Sequence, residues 1–67
     1  MITITVNGKQ MEVSNDVSVE ALLVQLGVLR EYTAVAVNRE VTPRRQYVET
    51  RLRDGDRVEI VRPMGGG

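Results

Sequence analysis

Residues 1–13 read MITITVNGKQMEV. Ile2, Ile4 and Val6 occupy one side of a period-two pattern and Thr3 and Thr5 the other, the signature of a half-buried strand of β-branched residues. Asn7-Gly8 then interrupts the alternation. Both residues accept positive φ, as a two-residue type I′ turn demands, so the chain doubles back. The stretch Lys9–Val13 resumes the pattern with Met11 and Val13 inward. The opening therefore predicts a hairpin over residues 2–13 with one apolar face that something else must cover.

The next stretch, SNDVSVEALLVQLGV, changes period. Ser18 is suited to cap a helix, and the Glu20 carboxylate suits the positive end of its dipole. Ala21, Leu22, Leu26 and Leu29 fall at helical spacing, with Leu23 at the border of the apolar stripe. Gly27 ends the helix in the left-handed conformation, about three turns after its start. This helix is the cover the hairpin needs.

Strand signals then return. YTAVAVN is a short, β-branched, nearly continuous apolar run, which reads as a strand covered on both sides or nearly so, with Val35 and Val37 toward the core. Asn38-Arg39-Glu40 turns the chain and Val41 begins a short partner strand. In TPRRQY, Thr42 reads as the cap and Pro43 as the first residue of a helical turn. Asp54-Gly55-Asp56 is a tight turn. RVEIV is the final strand, with Val58 and Ile60 inward, and Pro63 ends it because proline cannot donate to a ladder. Strands on both sides of one main helix give an α+β class, a mixed sheet of four to five strands with the helix on one face. The first and last strands, richest in aliphatics, are placed at its centre. Residues 1–62 form the domain and 63–67 a flexible tail.

The 67 residues suffice for one small domain that buries roughly 60% of its unfolded surface. There is no cysteine and no histidine, so disulfides, thiolate metal sites, a cysteine nucleophile and the commonest general base are all missing. That argues against a free-standing hydrolase and against a bound metal or cofactor. Nine basic residues balance nine acidic ones, whereas a nucleic-acid binder carries a basic excess. No apolar run is long enough for a membrane span, and no basic-then-apolar leader opens the chain, so the expected location is the cytoplasm.

Inside the domain each candidate site has a plainer explanation. Asp54 and Asp56 flank a glycine, as turn residues do, and two acids without a third ligand hold a metal poorly. Arg44 and Arg45 could grip a phosphate but read as a solvated face. Asn38 fills a left-handed turn position. Tyr32 and Tyr47, the only aromatics, read as core or core-edge residues.

The chain finishes Arg62-Pro63-Met64-Gly65-Gly66-Gly67. The residues alone allow two readings. One is a frayed terminus. The other is a stalk presenting the α-carboxylate of Gly67 as a reactive handle, with no Cβ to crowd it. Five residues past Arg62 extend at most roughly 17 Å, enough to thread a narrow channel into another enzyme. Gly65 and Gly66 let a backbone or phosphate approach closely, and Met64 adds one adaptable apolar contact. Activation by ATP would turn the carboxylate into an acyl-adenylate, and attack by sulfide or persulfide would give a thiocarboxylate. Such a domain needs no catalytic side chains of its own.

At these residues the chain resembles the ThiS family, ubiquitin-like sulfur carriers of thiamine thiazole biosynthesis. The resemblance rests on ITVNGK, VSVEALLVQLGV, AVNREVTPRRQY, DGDRVEI and the glycine end, and spans the whole chain. Departures are Thr42 in place of an aliphatic residue, Tyr47 in place of tryptophan, and the third glycine Gly65. The resemblance implies a β-grasp fold, a ThiF-like adenylyltransferase that consumes ATP on Gly67, a persulfide or sulfide source, and a ThiG-like thiazole synthase that receives the sulfur. The chain itself would be a co-substrate and not an enzyme. The nearest rival is a MoaD-type carrier of molybdopterin synthesis, though those chains are commonly longer and lack the Pro43-Arg44 habit. A rival of another class is a small RNA-binding module, suggested by VNREVTPRR and LRDGDRVEI and opposed by the zero net charge. A tail alone offers too few contacts to select a partner enzyme. The sheet face opposite the helix, with Arg57, Glu59 and Val61, is the expected docking surface.

Overall fold

The computed structural model describes residues 1–61. Five strands, β1 (Ile2–Val6), β2 (Lys9–Val13), β3 (Ala34–Val37), β4 (Glu40–Thr42) and β5 (Arg57–Val61), and one α-helix, α1 (Val19–Leu26), form the body. The strands make one sheet in the order β2-β1-β5-β3-β4. The β1–β5 pair is parallel and the other three pairs are antiparallel. The architecture is the expected α+β class, with β5 in the middle and β1 beside it.

Both hairpins follow from their turn residues. Asn7 and Gly8 have φ of 50° and 85°, and Asn38 and Arg39 have 52° and 72°. These positive values let a two-residue turn match the twist of the flanking strands. In the β1–β2 hairpin, Ile4 stands opposite Met11 and Ile2 opposite Val13, so one face is continuously apolar.

Helix α1 starts where the Ala21 N–H donates to Ser18 Oγ (3.0 Å) and stops at Gly27, whose φ is 71°. Its eight residues make about two turns, one fewer than expected. Val19, Leu22 and Leu23 form its buried stripe and close over Ile4, Val13, Val35 and Val58 of the sheet. The stripe thus counts from Val19 at i, i+3, i+4, which corrects the expected set. Ala21 is exposed, Leu26 is 38% exposed in the last turn, and Leu29 lies beyond the helix and faces solvent. The left-handed Gly27 redirects the chain so that Val28, not Leu29, packs against the core.

The segment between β4 and β5 secures the helix start. The N–H groups of Val19 and Glu20 donate to the carbonyls of Thr50 (2.9 Å) and Tyr47 (3.0 Å), and that of Leu52 donates to Val17 (2.9 Å). Tyr47, Leu52 and Val17 enter the core with them. Tyr47 is therefore a core residue as expected. Tyr32 is not: it ends a 3₁₀ turn, Arg30–Tyr32, and is 67% exposed. Thr33 is buried in its stead, its hydroxyl donating to backbone carbonyls of the preceding turn. Two further expectations are corrected. Thr42 is not a helix cap but the last residue of β4, and Pro43, in extended conformation, precedes the 3₁₀ turn Arg44–Gln46. The strand β3 is covered on one side only, because Ala34 is exposed and Ala36 half-buried on the side away from α1.

Candidate functional site

Strand β5 alternates. Val58 and Ile60 point toward α1, so Arg57, Glu59 and Val61 project from the opposite face, where all three are exposed. Register then decides what surrounds them. Val61 stands opposite Ala34, Glu59 opposite Ala36, and Ala36 in turn opposite Val41 of β4. Partners in register share a face. The open face therefore carries an apolar strip of Val61, Ala34, Ala36 and Val41 beside the charges of Arg57 and Glu59. Val61 is 58% exposed and Val41 76% exposed, and the alanines between them leave both valines proud. Val41 was legible as a strand residue but not as a member of this face, since one short strand does not reveal which side it presents.

The strip lies at the end of β5 from which the chain continues into residues 62–67. The tail residues singled out above, Met64, Gly65, Gly66 and Gly67, lie outside the described residues, as does the division of the chain at residue 62.

The other candidates take structural roles. The Asp54 carboxylate accepts from the Thr3 N–H (2.8 Å). Asp56 accepts from the Arg53 N–H (2.8 Å) and from the Asn38 amide (3.0 Å). Asp54 Oδ1 and both Asp56 oxygens thus help to shape the turn before β5, and among the described residues no group of three acidic side chains is placed to hold a metal. Arg44 and Arg45 are exposed and line an open concavity together with Arg30 and Glu31. Arg30 also pairs with Glu20 at 3.1 Å. Among the described residues no helix is long and apolar enough to cross a membrane.

Residues 4–67 match the ThiS family. The chain belongs to that family. ThiS proteins are small sulfur carriers of thiamine biosynthesis, and two of the three relatives described next bear that name. A crystal structure of the thiamine biosynthesis protein ThiS from Geobacter metallireducens is 40% identical, superposes with a TM-score of 0.86, and is covered over its full length by 98% of this chain. The fold is thus the ubiquitin-like β-grasp. The sulfur carrier protein ThiS of Escherichia coli strain K12 is 30% identical over 61 residues, which are 91% of this chain and 92% of that one. A thiazole synthase from Paramagnetospirillum magneticum strain ATCC 700264 / AMB-1 is 41% identical over 64 residues, 96% of this chain but only 20% of that protein. The chain therefore spans one fifth of the synthase it matches. The ThiS match runs through Gly67.

Proposed function

We propose that the chain carries sulfur as a thiocarboxylate on Gly67 for thiazole formation. The observation that carries this reading is the ThiS match, which spans residues 4–67 and so extends to the last glycine. In the first step the Gly67 carboxylate attacks the α-phosphate of ATP on a ThiF-like adenylyltransferase and releases pyrophosphate. The product is an acyl-adenylate, a mixed anhydride with a good leaving group. Sulfide then displaces AMP to leave the thiocarboxylate. With a persulfide donor, an acyl disulfide forms first and a second thiol cleaves its S–S bond. The chain is a co-substrate throughout, and its own residues bind and position.

The recipient in this reading is a ThiG-like thiazole synthase. Its support is the thiazole synthase that carries a stretch like this chain within its own polypeptide. The open face of the sheet is the docking surface, since an exposed apolar strip rimmed by charges is the ordinary character of a protein contact. Arg57 and Glu59 supply orientation, and Val61, Ala34 and Val41 the desolvated contact.

The test is intact mass spectrometry after incubation with ATP, a ThiF-type enzyme and a sulfide source. Replacement of oxygen by sulfur at the terminus adds about 16 Da. A chain that remains at its starting mass, with no adenylate formed on the way, refutes the reading.

A further inference from the structure

β1 turns away from β5 at Asn7, two pairs before β5 ends. The ladder nevertheless continues. Thr5 N–H donates to the Asp56 carbonyl and Asn7 N–H to the Val58 carbonyl, both at 2.9 Å. Beyond that point the Asn7 side chain takes the place of the missing backbone. Its Oδ1 accepts from the Ile60 N–H (2.8 Å) and its Nδ2 donates to the Ile60 carbonyl (3.2 Å). A carboxamide carries the same donor and acceptor as a peptide group, so it can close a ladder that the main chain has left. Successive strand residues direct their backbone groups to opposite edges. Ile60 is therefore held by Asn7 on the β1 side while Val61 pairs with Ala34 on the β3 side.

The opposite end of β5 has a counterpart. Asn38, in the other two-residue turn, accepts at Oδ1 from the Arg57 N–H (3.0 Å) and donates its own N–H to the Arg57 carbonyl (2.7 Å). The central strand is clamped at each end by the first asparagine of a hairpin turn. Only the Asn7 clamp lies next to the exit toward residues 62–67.

We propose that Asn7 is a positioning residue for the carrier reaction: it fixes the end of β5, the strand that leads into residues 62–67, and through it the reach of the Gly67 carboxylate once the body has docked. This rests on the carrier reading above. Without the clamp the last residues of β5 keep pairing only along β3. Reacting atoms must approach to about 3–3.5 Å, and a displacement of about 1 Å can cost a hundredfold in rate. The open face is untouched, so recognition of the partner does not change.

The discriminating variant is Asn7→Gly. Glycine accepts the positive φ of the turn and keeps the backbone bond to Val58, but loses both bonds to Ile60. Asn38→Gly removes the matching clamp at the far end of β5 and controls for general loosening. Steady-state adenylation by a ThiF-type enzyme with ATP, followed by pyrophosphate release, is measured on wild type and both variants. Amide hydrogen exchange at Ile60 is measured by NMR under the same conditions. The expected result for Asn7→Gly is faster exchange at Ile60, a kcat lower by about tenfold or more, and an unchanged KM for the carrier. Asn38→Gly should keep the wild-type kcat. Unchanged kcat in Asn7→Gly overturns the positioning role while leaving the carrier reading intact. An equal fall in Asn38→Gly also overturns it, because the loss is then one of general rigidity. Wild type that takes no adenylate overturns both.

Discussion

Val61, the last described residue of β5, stands directly opposite Ala34 of β3 on the sheet face turned away from the helix. A methyl side chain opposite leaves the valine exposed over more than half its surface. Burial of the core does not use it, so a charge placed there should not disturb the fold. Val61→Asp is expected to shift Tm by no more than a few degrees and, if the chain docks as proposed, to weaken binding to a ThiF-type adenylating enzyme by about tenfold or more, a loss of roughly 1.4 kcal/mol or above. Thermal melts and titration calorimetry measure the two effects separately. A cooperative loss of folding in Val61→Asp would place the valine in the body's packing and remove the docking face.

The aliphatic core sets the stability. Ile4 is 1% exposed and packs among Leu22, Val35 and Val58 in the same cluster. Ile4→Ala should cost about 2–4 kcal/mol by lost transfer energy and the cavity left behind. For a small domain with about 5 kcal/mol in all, most of the stability would go. Leu29→Ala provides the contrast, because that side chain faces water; its cost should stay within about 0.5 kcal/mol. Urea unfolding of the two variants gives both numbers, and similar midpoints would contradict the helix face described above.

Asp56 connects the turn before β5 to the β3–β4 turn through Arg53 and Asn38. Asp56→Ala leaves the Arg53 N–H and the Asn38 amide without these acceptors. Both sites are near solvent, so water replaces part of what is lost, and the expected cost is about 1 kcal/mol. Millimolar Mg²⁺ or Ca²⁺ should leave the wild-type Tm unchanged, since these carboxylates are engaged with the protein's own donors. A rise in Tm with either ion would reinstate the pair as a cation site.

Local signals carried most of the fold. The Asn7-Gly8 turn, the Ser18 cap, the Gly27 stop and the alternation of β5 each follow from a short window, and each is found where its residues place it. What needed tertiary information was the choice between apolar residues that all fit one pattern. Leu29 and Tyr32 look like core by composition, yet the turn at Gly27 sends Val28 and Thr33 inward. AVAV looked fully covered because alanine reads as apolar on either face; with a single layer of helix, one face of the sheet stays open. The same gap hid the apolar strip, since Val41 and Val61 are placed on one face only through the register of three strands. The Asn7–Ile60 clamp was invisible for a related reason: the two residues are 53 positions apart, and a turn asparagine explains itself locally.

The stalk length gives the most exacting test of the carrier reading. In that reading the body docks by its open face, and the chain beyond Val61 then brings one carboxylate beside the α-phosphate of ATP. Deleting Gly67 leaves a chain that still ends in two glycines, so composition is preserved. The carboxylate, however, retracts by up to about 3.3 Å in an extended stalk. Since a displacement of about 1 Å can cost a hundredfold, adenylation should slow by at least that factor while folding and partner binding stay normal. Adding one alanine after Gly67 should be equally harmful, because it both overshoots and brings a Cβ to a channel suited to glycine. Removing Gly65, Gly66 and Gly67 together should leave Tm almost unchanged, since the core among the described residues, from Ile4 to Val58, is built without them. Intact-mass kinetics on wild type, the deletion and the extension decide the point. Adenylation of the shortened chain at the wild-type rate would mean that the glycines supply slack and that the carboxylate is placed by the adenylating enzyme alone.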